Sequence, residues 1–467
     1  MTPNPAGATT DLAGEAPLPG PARLAATVSV LSAMALVVLD AGMVNVALPT
    51  MATALETSPA GAVLIVTSYQ AALLMALMPA AAFGERLGNA LVFRAGVAVF
   101  LAGAILSALA PSLPWLLAAR LVQGIGGAAV MALGVSLLRS AVGTARLGEA
   151  VGWNALAVAL ASAAAPTLGS LLIEGFDRRW MFLAAAPTAM AALLASCFLP
   201  ATPRGPTPVD LGSVALNALA FGLVVIAVEA LPRSAVAAVL LFMAAAAAMR
   251  LLVRREAGKA APLVPLDLLA DKGFRLSVVA SVLCFTGQAA GMVAIPFYLQ
   301  QGLGLTTLEV GLYLLPWPIG VAAAAAWVGR LSDRALMERF CAAGSWILAT
   351  GLFAIALWPF SREEAWPLFG FTALCGVGFG LFQVPNNRNL FQAAGSGRSG
   401  AAGGAQGAAR LTGQMSGALL MTLLFNLAPP ALVPRTGLAI GAAFAIASVL
   451  ATLARTSRQE RESHHAV

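Results

Sequence analysis

The sequence predicts an all-α integral membrane protein of fourteen transmembrane helices, and three observations predict it. Hydrophobic residues make up 60% of the 467 positions and charged ones only 10%, with a mean hydropathy of +0.87. A water-soluble chain of that composition would have no polar surface to present. The apolar residues fall into runs of about 20, the length that at roughly 1.5 Å per residue crosses a ~30 Å hydrocarbon core. Finally, 20 of the 27 Lys and Arg residues fall in the termini and alternate loops on one side, five fall on the other, and two, Arg120 and Arg410, lie within helices. That asymmetry puts both termini in the cytoplasm.

Residues 1–22 are rich in Pro, Ala and Gly, carry Asp11 and Glu15, and lack the basic segment and short apolar core of a cleaved signal; they read as a disordered cytoplasmic tail. The first apolar run, 25–48, encloses one carboxylate, Asp40. Runs at 61–83 and 92–110 flank the loop AAFGERLG (81–88). The run 114–138 holds Arg120, 150–173 holds Pro166, and 180–199 follows the basic pair Arg178–Arg179. The Pro-rich stretch PATPRGPTPVD (200–210) then marks a linker, followed by runs at 211–231 and 235–252 and the charged segment 253–275. Six more runs follow at 276–299, 308–329, 340–359, 366–387, 403–427 and 436–454, ahead of a second tail, 456–467. The loop after the tenth run, GRLSDRAL (329–336), repeats the acid and arginine of the loop after the second: Glu85 and Arg86 correspond to Asp333 and Arg334. Parallel six-helix repeats build many transporters. Residues 23–200 and 276–455 therefore read as two six-helix bundles, with two inserted helices in 201–275.

A charge inside the hydrocarbon core is costly, which makes Asp40, Arg120 and Arg410 functional hypotheses by default. Counted from the helix ends, Asp40 and Arg120 lie at similar heights, so an ion pair is geometrically allowed. Burial favours the protonated acid and a guanidinium the ionised one; a balance between them lets one proton be taken up and released. A static pair joining two helices is the alternative. Arg410 has no intramembrane acid near it in sequence, and snorkelling to the interface or a bond to a helix carbonyl would also account for it. Asn45, Tyr69, Gln70, Gln123, Asn154, Gln288 and Gln383 are candidates to line a polar cavity, although hydrogen bonds between helices explain buried amides equally well.

Several chemistries are excluded. The four cysteines lie in separate apolar runs without metal spacing, and the two histidines, His464 and His465, sit at the extreme C-terminus, so no metal site is expected. The Gly-rich run 395–407 has no GxxxxGK[ST] pattern, so ATP-driven pumping has no support and no cofactor is expected. The net charge of +7 is a topology signal with some attraction to lipid head groups, not a nucleic-acid footprint.

Five segments, in order, carry a family likeness: LDAGMVNVALP (39–49), with Asp40, Asn45 and Pro49; RLVQGIGGA (120–128), with Arg120, Gln123, Gly124 and Gly126; AAAPTLGS (163–170) followed by RRWMFLAAAP (178–187); the two loops GERLG and GRLSDR; and the stretch 384–417. Together they resemble the major facilitator superfamily, and within it the fourteen-helix drug:proton antiporter group. The resemblance implies two six-helix bundles that rock about a central site, with Arg120 facing a polar cavity near Asp40. It assigns proton coupling to Asp40 and Arg120, an antiporter kink to Pro166 and Gly169, and a conformational gate to Glu85, Arg86, Gly88, Gly329, Asp333 and Arg334. The expected function is export of an amphipathic organic compound, apolar with one polar or cationic end, in exchange for protons, by a monomer in a bacterial inner membrane. An uptake symporter or facilitator is the alternative. A membrane transferase is disfavoured by the lack of membrane histidines and paired carboxylates.

Overall fold

The computed structural model describes residues 18–143, 146–201, 209–259, 266–331, 334–395 and 398–465. Fourteen helical spans follow in chain order: α1 Gly20–Ala54, α2 Pro59–Leu87, α3 Asn89–Ala108, α4 Leu113–Val142, α5 Leu147–Gly175, α6 Arg178–Phe198, α7 Leu211–Ala230, α8 Ala235–Glu256, α9 Lys272–Gly302, α10 Thr307–Gly329, α11 Arg334–Leu357, α12 Pro367–Ala394, α13 Ser399–Leu427 and α14 Val433–His465. Thirteen are long and apolar enough to cross a membrane. The other, α13, has 29 residues and dilutes its apolar face with glycines and Arg410. An even number of crossings puts both described ends on one face, called here the terminal face; the opposite one is the far face.

Local chemistry sets the helix ends. Ser58, Asp210, Ser234 and Asp271 each accept a hydrogen bond from a first-turn backbone N–H of α2, α7, α8 and α9, and Thr306 with Glu309 forms a capping box at α10. Gly88, at φ 100°, closes α2 in a backbone conformation that disfavours a side chain. α10 is interrupted at Leu315, just before Pro316, which has no N–H to continue the ladder. Three expected boundaries shift. Residues 20–22, placed in the N-terminal tail, already belong to α1, and the C-terminal tail from 456 is helical through His465. α9 begins at Lys272, inside the segment assigned to the linker. Hydropathy marks where a helix enters lipid, and these helices run on into water, where composition carries no mark.

The helices form two bundles that repeat one another pair by pair. In the first, α2 and α3 pack on α4, α1 packs on α5 and α6, and α3 packs on α6. In the second, α10 and α11 pack on α12, α9 packs on α13 and α14, and α11 packs on α14. Glycines at the tightest crossings repeat too. A Cβ on Gly126 of α4 would lie 2.6 Å from the Gly96 carbonyl of α3, and one on Gly378 of α12 would lie 2.7 Å from the Gly344 carbonyl of α11. Likewise, a Cβ on Gly124 would lie 2.5 Å from the Tyr69 carbonyl of α2, and one on Gly376 would overlap the Trp317 carbonyl of α10. Only residues without a side chain permit such backbone-to-backbone approach.

The bundles meet along α2–α13, α5–α10 and α1–α9. Among the described residues, the hydrogen bonds that cross between them lie at the far face. Thr50 of α1 reaches Gln300 Oε1 and Thr307 Oγ1, both at 3.0 Å. Gln300 Nε2 donates to the Val46 carbonyl at 3.0 Å, and the Leu308 N–H donates to Glu174 at 2.9 Å. The far face is thus latched. Each such bond contributes about 0.5–1.5 kcal/mol net, so Thr50→Val together with Gln300→Leu is expected to shift the bundles roughly tenfold toward the arrangement open at the far face. Thiol labelling of a cysteine placed beside Thr50 would read this as faster modification; an unchanged rate would mean that the latch does not hold the face shut.

The inserted helices α7 and α8 pack on each other, and α7 also lies on α2 and α13, where Asn217 Nδ2 donates to the Met75 carbonyl at 2.9 Å. At the base of this hairpin Asp210 bridges Arg255 Nε at 2.8 Å and Lys259 at 2.6 Å, and Lys259 also meets Glu256. Bonds from Arg255 and Lys259 hold the Asp210 carboxyl well below the usual carboxylate range. A lowered value means that the stabilisation is complete above an ordinary carboxylate's range, near pH 4, and is lost only as pH falls through the lowered value. Amide-exchange protection in α7 is therefore expected to hold between pH 7 and 5 in the native chain and to fall at both pH values in Asp210→Asn.

Candidate transport site

Asp40 on α1 and Arg120 on α4 are both fully buried, with Arg120 Nη1 2.6 Å from Asp40 Oδ2. Gln123, one turn beyond Arg120, closes a triangle: its Nε2 donates to Asp40 Oδ1 at 2.9 Å, and its Oε1 accepts from Arg120 Nη1 at 2.7 Å. Both carboxylate oxygens are therefore occupied. The Arg120 guanidinium stacks over the Tyr69 ring of α2, 4.1 Å from its centroid, with Phe182 of α6 at 5.8 Å. The Tyr69 hydroxyl is pinned by donation to the Val37 carbonyl at 3.3 Å. The close α2–α4 approach at Gly124 brings the ring under the cation. Arg120 Nε and Nη2 are buried without a partner, so the guanidinium keeps unused donors once its hold on Asp40 relaxes.

Of the seven residues expected at a cavity, the structure joins two to this pair, Gln123 and Tyr69. Gln70 follows Tyr69 and is 8% exposed; Asn45, Asn154, Gln288 and Gln383 are partly exposed on α1, α5, α9 and α12. The oxygens of Asn45, Gln70 and Asn154 are buried with no hydrogen-bond partner. Unsatisfied acceptors at this depth carry a desolvation cost that water or a bound molecule would relieve.

Pro166 and Gly169 lie on α5 between the bundles. A Cβ on Gly169 would come within 2.9 Å of Met43 Cα on α1, while the Pro166 carbonyl and Ser170 lie against Gly311 of α10. Glu85 and Arg86 are exposed at the terminal end of α2 and, among the described residues, enter no ion pair. Gly329 ends α10, Arg334 begins α11, and Asp333 lies outside the described residues. Arg410 has no hydrogen-bond partner among the described residues, helix carbonyls included: its Nε is buried and unpartnered, and it lies within electrostatic reach of Tyr69.

Sequence reasoning missed the far-face latch, because Thr50, Gln300 and Thr307 are ordinary polar residues at helix ends and only packing brings them together. It also missed Arg455 of α14, 2% exposed, which donates to Ser277 of α9 at 2.8 Å; an arginine at the end of an apolar run reads as a topology charge.

A two-bundle helical membrane fold around a buried charged site defines a multi-pass membrane transporter. The chain belongs to the Major Facilitator Superfamily, whose family model matches residues 30–419, a family and fold of transporters and not of enzymes. It is 38% identical over 419 residues to the uncharacterized transporter YebQ of Escherichia coli (strain K12), covering 88% of this chain and 90% of that one. It is 30% identical over 404 residues to the drug efflux pump JefA of Mycobacterium tuberculosis, covering 83% and 78%. Among solved structures, a peptide transporter POT in complex with sulfate shares the fold, with a TM-score of 0.69 over 95% of this chain and 97% of that chain at 16% identity.

Proposed function

We propose that this chain exports an amphipathic organic compound in exchange for protons, by alternating access of its two bundles, with Asp40 as the proton site and no cofactor besides the proton gradient. One observation carries the reading: Asp40 is a fully buried carboxylate whose two oxygens are held by Arg120 and Gln123. Protonation removes the negative charge that Arg120 neutralises, so the pair changes state with one proton. The similarity to a drug efflux pump supports the direction of transport. The excess of basic residues on the terminal face supports a cytoplasmic location for both termini in a bacterial inner membrane, where the chain works as a monomer. On that orientation the latched far face is the outer one, and the exposed, unpaired Glu85 and Arg86 fit a gate that has parted on the cytoplasmic side. The bundles at 23–200 and 276–455 would move against each other, with the insert riding on α2 and α13.

Purified protein in liposomes under an imposed pH gradient tests the exchange, with a panel of organic cations, neutral antibiotics and anionic dyes. Exchange drives a transported probe into the acidic compartment whichever way the molecules are inserted. Accumulation in the alkaline compartment would establish symport, and equilibration without accumulation a facilitator.

A further inference from the structure

Among the described residues, the acidic and basic side chains well inside the spans are Asp40, Arg120 and Arg410, one acid against two arginines, with Glu338 and Arg455 buried nearer span ends. Asp40 is consumed. Its oxygens are both bonded, at 2.6 and 2.9 Å, to Arg120 and Gln123, and it is fully buried, so this arrangement leaves it no open surface for a cationic cargo group. Arg410 is the reverse case. It has no hydrogen-bond or ion-pair partner among the described residues, its Nε is buried, and eleven residues separate it from the start of α13, roughly 16 Å at 1.5 Å per residue. Arg410 as a whole is partly accessible, and its helix packs against α2 of the first bundle and α9 of its own, where the bundles meet. A Cβ on Gly407, one turn earlier, would lie 3.2 Å from Leu77 of α2, which sets Arg410 on the same side of the helix.

We propose that Arg410 binds an acidic group of the cargo, so that the transported compound is an amphipathic organic anion, a carboxylate or sulfonate on an apolar body. A guanidinium presents donors suited to the two oxygens of such a group, and a charge-assisted bond is strong where water is scarce. The unpartnered amide oxygens of Asn45, Gln70 and Asn154 would accept from cargo hydroxyls or amides. The role of this assignment in transport rests on the exchange proposed above.

The test is isothermal titration calorimetry on the full chain in nanodiscs with three probes matched in shape, 1-naphthoate, 1-naphthamide and 1-naphthyltrimethylammonium. The carboxylate is expected to bind at least tenfold more tightly than the ammonium; Arg410→Gln should abolish that preference and Arg410→Lys retain most of it. Equal or tighter binding of the ammonium, no binding of the carboxylate, or a preference that survives Arg410→Gln would overturn the assignment. The order of the three probes on the native chain requires no variant to fold. Binding in nanodiscs needs no gradient, so a failure of exchange in liposomes and a failure of this charge preference are separate results.

Discussion

Arg120→Leu is expected to destabilise the chain by about 3–5 kcal/mol, the cost of leaving one member of a buried pair uncompensated. The guanidinium is fully buried, closes two bonds of the triangle and stacks on Tyr69, so its loss strips Asp40 of its counter-charge and opens a void above the ring. Adding Asp40→Leu should recover most of the loss, because a pair of apolar side chains has no charge to desolvate. Thermal unfolding in one detergent would rank native first, the double variant next and Arg120→Leu last. A double variant less stable than Arg120→Leu would mean that Asp40 is held by something other than this pair.

Gly376→Ala should be nearly as damaging, for a steric reason. An added Cβ would lie 2.0 Å from the Trp317 carbonyl and 3.0 Å from its Cα, and because both are backbone no rotamer change can relieve the clash. α10 and α12 must part, and overpacking of this kind costs typically 1–3 kcal/mol or more. On the same helix Gly370 has nothing within 4 Å of its would-be Cβ, so Gly370→Ala is expected to be neutral or to gain up to about 1 kcal/mol of helix propensity. Equal effects at the two positions would rule out close approach as the reason for glycine at 376.

The contrast between these two glycines shows what a linear reading reaches. The pattern Gly-x-Gly in α4 could be matched to a family motif, but its echo at Gly376 and Gly378 emerges only when α12 is seen crossing α10 and α11 as α4 crosses α2 and α3. Asp40 and Arg120 were legible because a charge in an apolar run is expensive wherever it occurs, and Gln123 lies one turn from Arg120. Arg410 was legible as a cost but not as a site: what lies beside it depends on the meeting of α2 and α13, which no local pattern encodes. The same holds for Thr50 and Gln300, 250 residues apart. Span positions were readable because lipid demands about 20 apolar residues, whereas α14 continues to His465 on polar residues that obey no such demand.

If one proton on Asp40 drives the exchange, proton flux reads it. Liposomes containing purified protein and preloaded with the transported probe would be placed in acid medium while internal pH is followed, against unloaded liposomes, for the native chain and for Asp40→Asn, in which the asparagine oxygen still accepts from Arg120. A probe-evoked proton influx is expected in the native protein and none in Asp40→Asn, with probe binding retained. Equal evoked flux in the two would contradict it and leave Asp40 as a structural partner of Arg120.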